Sequence, residues 1–575
     1  LIKQDKPTIF DTVYDQHFLK TLFSLYLCHT IILQMKQLLI FLIITLNSLN
    51  LLQAQDWKQY PYHQPGTYIY FPQDEGVHAQ ESSEWWYLMG HVTGATSGND
   101  YSFMLTYFHY PYAGFDGFRI FNMANETDNV FYPQTLPVMY DILAADSLNI
   151  LCDPVVASPE TWIVQTNPDG TAKPFQYNVS ASQQNGSINL SLDTYKRPLV
   201  VGDSGYFYQG GNGNYTYYYS QTGVNISGTL TFEGTTESIA GTGWIDRQYG
   251  TFNPSTGEAY EWFSVQLDNG IDINFWNIFT TDNQIPDMST YRMSSFYLDD
   301  TSDTASENFE LTRLKYAYTA DSSACYAQQW HFVWNDVDLI ITTLDQNRIV
   351  ELPFQFYEGA TTITGTVGNT DVTGIGFAEL LHSYENPELR FLNPDTVGVW
   401  KGEGETLLWQ VLNPDDGNPL YYSLDYSPDD GATWQEIVSG INDTSYYWDF
   451  SFLDDGTVCL FRLTGSSVDG TLSNTIISDA VTLHIISGIN DLVNEKSAVV
   501  YPNPSQGIFY FNLKNVRKIL LMDIYGNTIL QNNVQPNKTG GMNFIDLSDH
   551  QPGIYLLKLS NDKSDKTYKL ILQNH

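Results

Sequence analysis

Gly241-Thr242-Gly243-Trp244-Ile245-Asp246 and Gly374-Ile375-Gly376-Phe377-Ala378-Glu379 share one pattern, Gly-x-Gly-aromatic-x-acid. Each follows a Gly-Thr strand: Ile226-Ser227-Gly228-Thr229-Leu230 before the first and Ile363-Thr364-Gly365-Thr366-Val367 before the second. The hexapeptide recurs after 133 residues and the strand before it after 137, so the turn between them is shorter in the second copy. The two copies also share an opening, Glu84-Trp85-Trp86-Tyr87-Leu88 and Glu261-Trp262-Phe263-Ser264-Val265. Two related β-rich halves are expected, each with one acid in the same place.

The strands between these landmarks alternate as half-buried strands do. Tyr101-Ser102-Phe103-Met104-Leu105-Thr106-Tyr107 and Asp272-Ile273-Asn274-Phe275-Trp276-Asn277-Ile278 are examples. An antiparallel aromatic half of this length fits a closed barrel, which has no free edge. The interior of such a barrel holds one small apolar ligand. The acid behind an aromatic is then a candidate for chemistry inside the barrel. Residues 202–219, rich in Gly, Tyr and Asn, read as a long loop.

The chain has 575 residues, enough for three or four domains. Aromatic residues make up 15% and charged residues only 16%, a balance that favours β structure. The net charge of −39 disfavours nucleic acid and anionic membrane as partners. Residues 501–575 depart from the rest, with 8 basic and 5 acidic side chains.

Residue 1 is Leu, so residues 1–34 are expected to be a non-native extension. Met35-Lys36 opens a signal peptide over residues 35–54. Its apolar run, Leu38 to Leu46, is too short to span a bilayer, so no transmembrane segment is expected in the mature chain. Cleavage is expected after Ala54. Cys152, Cys325 and Cys459 match no metal or redox spacing, and one disulfide among them is conceivable. His78-Ala79-Gln80-Glu81 lacks the second His of a zinc motif. No metal or cofactor is expected.

The halves are expected over residues 56–250 and 251–390. Residues 395–487 read as an immunoglobulin- or fibronectin-like sandwich. Within it, Ser427-Pro428-Asp429-Asp430-Gly431-Ala432-Thr433-Trp434 resembles the Asp-box hairpin, whose acid and Gly make a tight turn.

Tyr501-Pro502-Asn503-Pro504-Ser505-Gln506-Gly507, Leu520-Leu521-Met522-Asp523-Ile524-Tyr525-Gly526 and Gln551-Pro552-Gly553-Ile554-Tyr555 follow in order near the end. Residues 498–575 thereby resemble the type A sorting domain of the type IX secretion system. The resemblance implies a small β-sandwich read by the outer-membrane translocon, and a secreted or cell-surface protein.

A second resemblance covers residues 78–384. It rests on Ser83-Glu84-Trp85-Trp86-Tyr87, Gly90-His91, Tyr218-Tyr219-Ser220, residues 241–250, Tyr260-Glu261-Trp262-Phe263, Phe356-Tyr357-Glu358-Gly359 and Gly376-Phe377-Ala378-Glu379-Leu380. This stretch resembles the hydroxyneurosporene synthase (carotenoid 1,2-hydratase) family and its AttH-like lipocalin relatives. The resemblance implies two packed lipocalin-like (calycin) barrels. The expected architecture is thus all-β: two barrels, a sandwich and a small terminal sandwich.

It also implies an apolar, isoprenoid-like ligand, hydrated or isomerised by a carbon–oxygen lyase. Adding water to an alkene needs a donor strong enough to make a carbocation. A carboxylic acid kept protonated by an apolar site can do this, and aromatic faces stabilise the cation. Asp246 matches the family's catalytic acid, with Trp244 beside it where the hydratases usually have Tyr. Trp85, Trp86, Tyr87, Tyr219 and Trp262 are expected to bind the ligand. His78 or His91 is expected to position water, and Glu379 is the repeat-related second acid. The hydratases carry a His-x-Trp pair ahead of the acid; the comparable stretch here, Tyr215-Thr216-Tyr217-Tyr218-Tyr219-Ser220, has no His. Two other roles stand beside the enzyme: a non-catalytic lipid-binding lipocalin, and a cell-surface adhesion protein.

Overall fold

Val, Ile, Thr and aromatic residues in alternation make this chain a succession of antiparallel strands. The computed structural model describes residues 57–251, 256–485, 500–512, 517–524, 526–533, 542–560 and 565–573. The expected extension and signal peptide lie outside the described residues. Among those described, a 3-10 turn covers Gln73–Glu75, and no helix is long and apolar enough to cross a membrane.

Ten strands close the first barrel. They run Ser83–Gly94, Asp100–Tyr112, Phe115–Asn125, Thr135–Leu143, Asn149–Pro154, Glu160–Thr166, Ala172–Gln183, Gly186–Thr194, Tyr215–Phe232 and Thr235–Gly250. The last pairs with the first, and Gly186–Thr194 pairs with Tyr215–Phe232, which completes the ring. Residues 202–219 are therefore not one long loop: a strand begins at Tyr215 and a short one covers Tyr206–Tyr208. Tyr-rich sequence of this kind suits a pleated, half-buried surface as well as it suits a loop.

The second half is a ten-stranded sheet curled into a half-barrel. Its path ends at Ser302–Ser306 on one side and Glu310–Tyr318 on the other, and these two are not bonded to each other. Rings help seal the gap instead. Phe296 stacks on Trp334 at 3.9 Å.

Alternation sorts each strand's side chains between two environments. Along Ser83–Gly94, Trp86, Leu88 and Val92 enter the first barrel's core, while Tyr87 and Met89 face the second half. Along Ala259–Leu267, Phe263 and Val265 enter the second core, while Trp262 faces back. Both interiors are filled by side chains. The third apolar cluster, built on Tyr87, Tyr218, Trp244, Trp262, Trp276 and Phe377, lies between the two. The repeated acids sit there as well, so the expectation of chemistry inside a barrel is corrected: two inward neighbours, Ile245 and Ala378, hold the core face and turn Asp246 and Glu379 outward.

The Gly-x-Gly motif leaves no room for a side chain where its strand meets the neighbouring one. A Cβ on Gly241 would come within 2.0 Å of the His91 carbonyl oxygen, and one on Gly376 within 1.9 Å of the Ser264 carbonyl oxygen. The second glycine of each motif also docks the halves. His91 Nε2 donates to the Gly376 carbonyl at 3.1 Å, and Gln266 Nε2 to the Gly243 carbonyl at 3.2 Å.

The repeat is not in perfect register. Asp246 lies opposite Tyr87, three residues beyond Glu84; Glu379 lies opposite Trp262, one beyond Glu261. The second copy has slipped by two residues along its partner strand. A shift of two preserves which face each side chain occupies, so both acids still face the space between the halves.

The sandwich pairs a three-stranded sheet with a six-stranded one around Trp409, Leu424, Phe461 and Leu463. It holds the second half firmly: Leu472 is buried in that half's core, and the Tyr316 amide donates to Asp469 Oδ2 at 2.8 Å. The Asp-box residues form a turn. The Thr433 amide donates to Asp429 Oδ1 at 2.8 Å and the Gly431 amide to Ser427 Oγ at 2.8 Å, with Gly431 at φ +86°. Cys152, Cys325 and Cys459 are all free and buried. The C-terminal unit is a separate small sandwich of three and four strands around Phe509, Leu521, Leu557 and Leu570.

Candidate functional site

Between the two halves the facing sheets leave a cavity of about 660 Å³. Its walls are largely aromatic, with Trp85, Tyr87 and Tyr218 from the first half and Tyr260, Trp262 and Trp276 from the second. Asp246, Glu258 and Glu379 also reach it.

Asp246 is only 4% exposed. Its Oδ1 accepts from Ser220 Oγ and from Trp244 Nε1, both at 2.6 Å, and its Oδ2 accepts from the Tyr218 hydroxyl. The second half holds these donors in place. Trp262 Nε1 donates to Tyr218 Oη at 2.9 Å, and Asn274 Nδ2 donates to Tyr218 Oη at 2.8 Å and to Ser220 Oγ at 3.1 Å. No basic side chain among the described residues forms an ion pair with Asp246: Arg247 bonds Glu84 at 2.5 Å and Arg119 bonds Glu160 at 2.9 Å. Burial therefore wins over the three donors and pushes the Asp246 carboxyl up to about 7, helped by the charge of Glu379. A group so placed is part acid and part base near neutral pH.

A second acid centre faces it. Glu358 and Glu379 lie directly opposite each other on adjacent strands. Tyr87 Oη, from the first half, donates to Glu358 Oε1 at 2.5 Å, and the Tyr260 hydroxyl donates to Glu379. Burial, then the neighbouring carboxylate, raises Glu358 well above the usual range; burial raises Glu379 too. Two carboxyls this close cannot both ionise cheaply, so the pair shares a proton. Glu379 keeps some accessible surface, and it lines the cavity.

Of the sequence-derived candidates, Asp246, Trp85, Tyr87, Trp262 and Glu379 meet at the cavity, and Trp244 stands behind Asp246. Trp86, Tyr219, His91 and His78 do not line it. Trp86 points into the first barrel, where Arg247 lies over its ring at 4.0 Å. Tyr219 faces away from Tyr218 and packs edge-on against Phe71. His91 docks the halves, and burial lowers it to about 4, so it stays neutral. His78 also stands apart, stacked on Tyr249 at 3.6 Å. Alternation explains the first two: neighbours on a strand cannot share a face.

Sequence reasoning missed Tyr218, Asn274 and Glu358 as site residues. Tyr218 sat in the expected loop, yet it takes the position beside the acid. Glu358 carried a signal, since it falls opposite Glu379 once the Gly-Thr strand is paired with the Gly-x-Gly strand.

The AttH-like family matches residues 142–384. This stretch of the chain is similar to the AttH-like family. The AttH-like match begins later than the resemblance read from residue 78, and the first barrel's opening strands precede it. Residues 499–573 match a secretion system C-terminal sorting domain, which marks the chain for secretion or surface export. Among solved structures, a putative AttH from Nitrosomonas europaea is 19% identical, with a TM-score of 0.47, over 56% of this chain and 98% of that one. Kievitone hydratase from Nectria haematococca is 15% identical, with a TM-score of 0.44, over 56% and 98%. No curated protein matches the sequence.

Proposed function

We propose that this secreted AttH-like protein binds an apolar, alkene-bearing small molecule between its barrels and protonates it with Asp246. The observation that carries this reading is one carboxyl, buried without a cationic partner, at the wall of an aromatic cavity. In its neutral form Asp246 is a proton donor in a site that water leaves easily. The cation formed on the alkene would lie against Trp85, Trp262 and Tyr218, whose faces stabilise positive charge. Attack by water gives hydration; loss of a proton from the adjacent carbon gives isomerisation. An isoprenoid-like substrate fits, because its branched alkene yields a tertiary cation. On this reading the chemistry is of the carotenoid 1,2-hydratase type, with Tyr218 beside the acid.

The test begins with native mass spectrometry of the purified full chain, with extraction and identification of any bound molecule. That molecule is then incubated with the protein in deuterium oxide. Deuterium on carbon in the product, lost in Asp246→Asn with binding retained, is the expected result. A ligand that binds and leaves unchanged in both proteins makes this a carrier and removes the catalytic role.

A further inference from the structure

The geometry points to a site for positively charged apolar ligands: the inter-barrel cavity should hold a molecule with a cationic head, such as a protonated alkyl amine or a quaternary ammonium, with the head between Asp246 and Glu379. This rests on the reading that the cavity is a small-molecule site, and not on Asp246 as its proton donor, because a positive charge beside Asp246 keeps that carboxylate ionised.

The lining is one-sided in charge. Asp246, Glu258 and Glu379 reach the cavity, and among the described residues no Lys, Arg or His does. A carboxylate or phosphate ligand would meet only like charge there, with neutral donors such as Gln209, Asn214 and Gln248 but no cation to offset its own. Trp85, Tyr87, Tyr260 and Trp262 line the cavity, and aromatic rings of this kind attract ammonium groups.

The acid pair supplies an independent indication. Glu358 is 2% exposed, and its side-chain hydrogen-bond partners are the Tyr87 hydroxyl and the partner acid Glu379. The groups facing this pair are Tyr87, Tyr260 and Asp246, none of them basic. Arg348 accepts from the Glu358 amide through its backbone carbonyl, but its guanidinium turns to Glu126 at 2.7 Å. The pair thus holds a proton where a cation would serve better. A ligand with fixed positive charge displaces that proton to solvent and leaves both carboxylates compensated. Burial makes this exchange stronger than at a surface, because the attraction is poorly screened.

Three probes separate the possibilities: octyltrimethylammonium, 1-decanol and decanoate. Binding to the full chain is read from quenching of the cavity tryptophans. The ammonium probe is expected to bind at least about tenfold more tightly than decanol, and decanoate more weakly than either. Its affinity should rise with pH through neutrality while that of decanol stays flat, since the cation competes with a proton. In the Asp246→Asn, Glu358→Gln, Glu379→Gln triple variant the preference should fall to about twofold or less. If that variant does not fold, the wild-type pH series and the single Glu379→Gln variant carry the same test. Equal binding of ammonium and decanol overturns this inference and leaves the cavity reading standing. Binding of none of the three overturns both.

Discussion

Replacing Asp246 by Asn separates a proton donor from a carboxylate that is merely well bonded. Burial carries this carboxyl from 3.8 to about 7. One pKa unit corresponds to about 1.36 kcal/mol, so full ionisation of Asp246 costs about 4 kcal/mol of stability. The folded-state value lies above the unfolded one. The contribution is therefore intact below about pH 4 and is lost as pH rises through about 7. Between about pH 5 and about pH 9 the wild-type chain loses about 3 kcal/mol through this group alone. The variant cannot ionise. Its amide can still accept from Ser220 and Trp244, but its NH₂ meets a Tyr218 oxygen that already accepts from Trp262 and Asn274. That mismatch costs about 1–3 kcal/mol at every pH. The stability difference should thus swing by about 3 kcal/mol toward the variant between the two pH values. Guanidinium unfolding of both full chains, followed by tryptophan fluorescence at matched pH, measures it. Glu358, Glu379 and Glu75 titrate in both proteins and largely cancel. Parallel curves would mean that Asp246 is ionised throughout and is not the acid.

Tyr218→Phe leaves Trp262 Nε1 without its acceptor and takes one partner from Asn274, and should cost about 1–3 kcal/mol in the same unfolding assay. Glu84 behaves oppositely to Asp246. Burial opposes its charge, but Arg247, His109 and His78 overcome this and hold it well below the usual range. Its contribution is present above the unfolded value and lost as pH falls, so Glu84→Gln should destabilise by about 3–5 kcal/mol at neutral pH and by progressively less in acid. Leu472→Ala opens a hole where the sandwich meets the second half, and should cost about 2–5 kcal/mol by thermal or denaturant unfolding. Removing residues 499–575 should retain the protein inside the cell envelope, as fractionation and immunoblotting would show.

Much of the fold was legible because its signals are local. The Gly-x-Gly strands, the shared Glu-Trp opening and the strand alternation all lie within a few residues of each other, and each reports a steric or packing demand. Trp85 and Trp262 could be placed together because they follow the repeated glutamates. The site was less legible because it is assembled from two sheets. Nothing local tells that Asn274 braces Tyr218, or that Tyr87 reaches Glu358 across the gap. The sequence also suggested the wrong space. Alternation says that Trp86 and Tyr87 face opposite ways, but only the docking of the halves decides which way leads to the cavity. The open edge of the second half was hidden for the same reason: a missing bond between Ser302–Ser306 and Glu310–Tyr318 leaves no mark on either strand.

The two-residue slip has a bearing on how such paired halves can diverge. In the hairpins that carry the acids, Gly228 lies opposite Ile239, and Gly365 opposite Val372. These are equivalent positions, yet the connecting stretch is four residues shorter in the second hairpin. Two residues have gone from each arm, and the acid has kept its orientation. Loss of an odd number from one arm would have sent it into the oily interior of its own barrel. Drift between the copies is in that sense quantised: lengths change in twos, and the acid stays on the side that the two halves share.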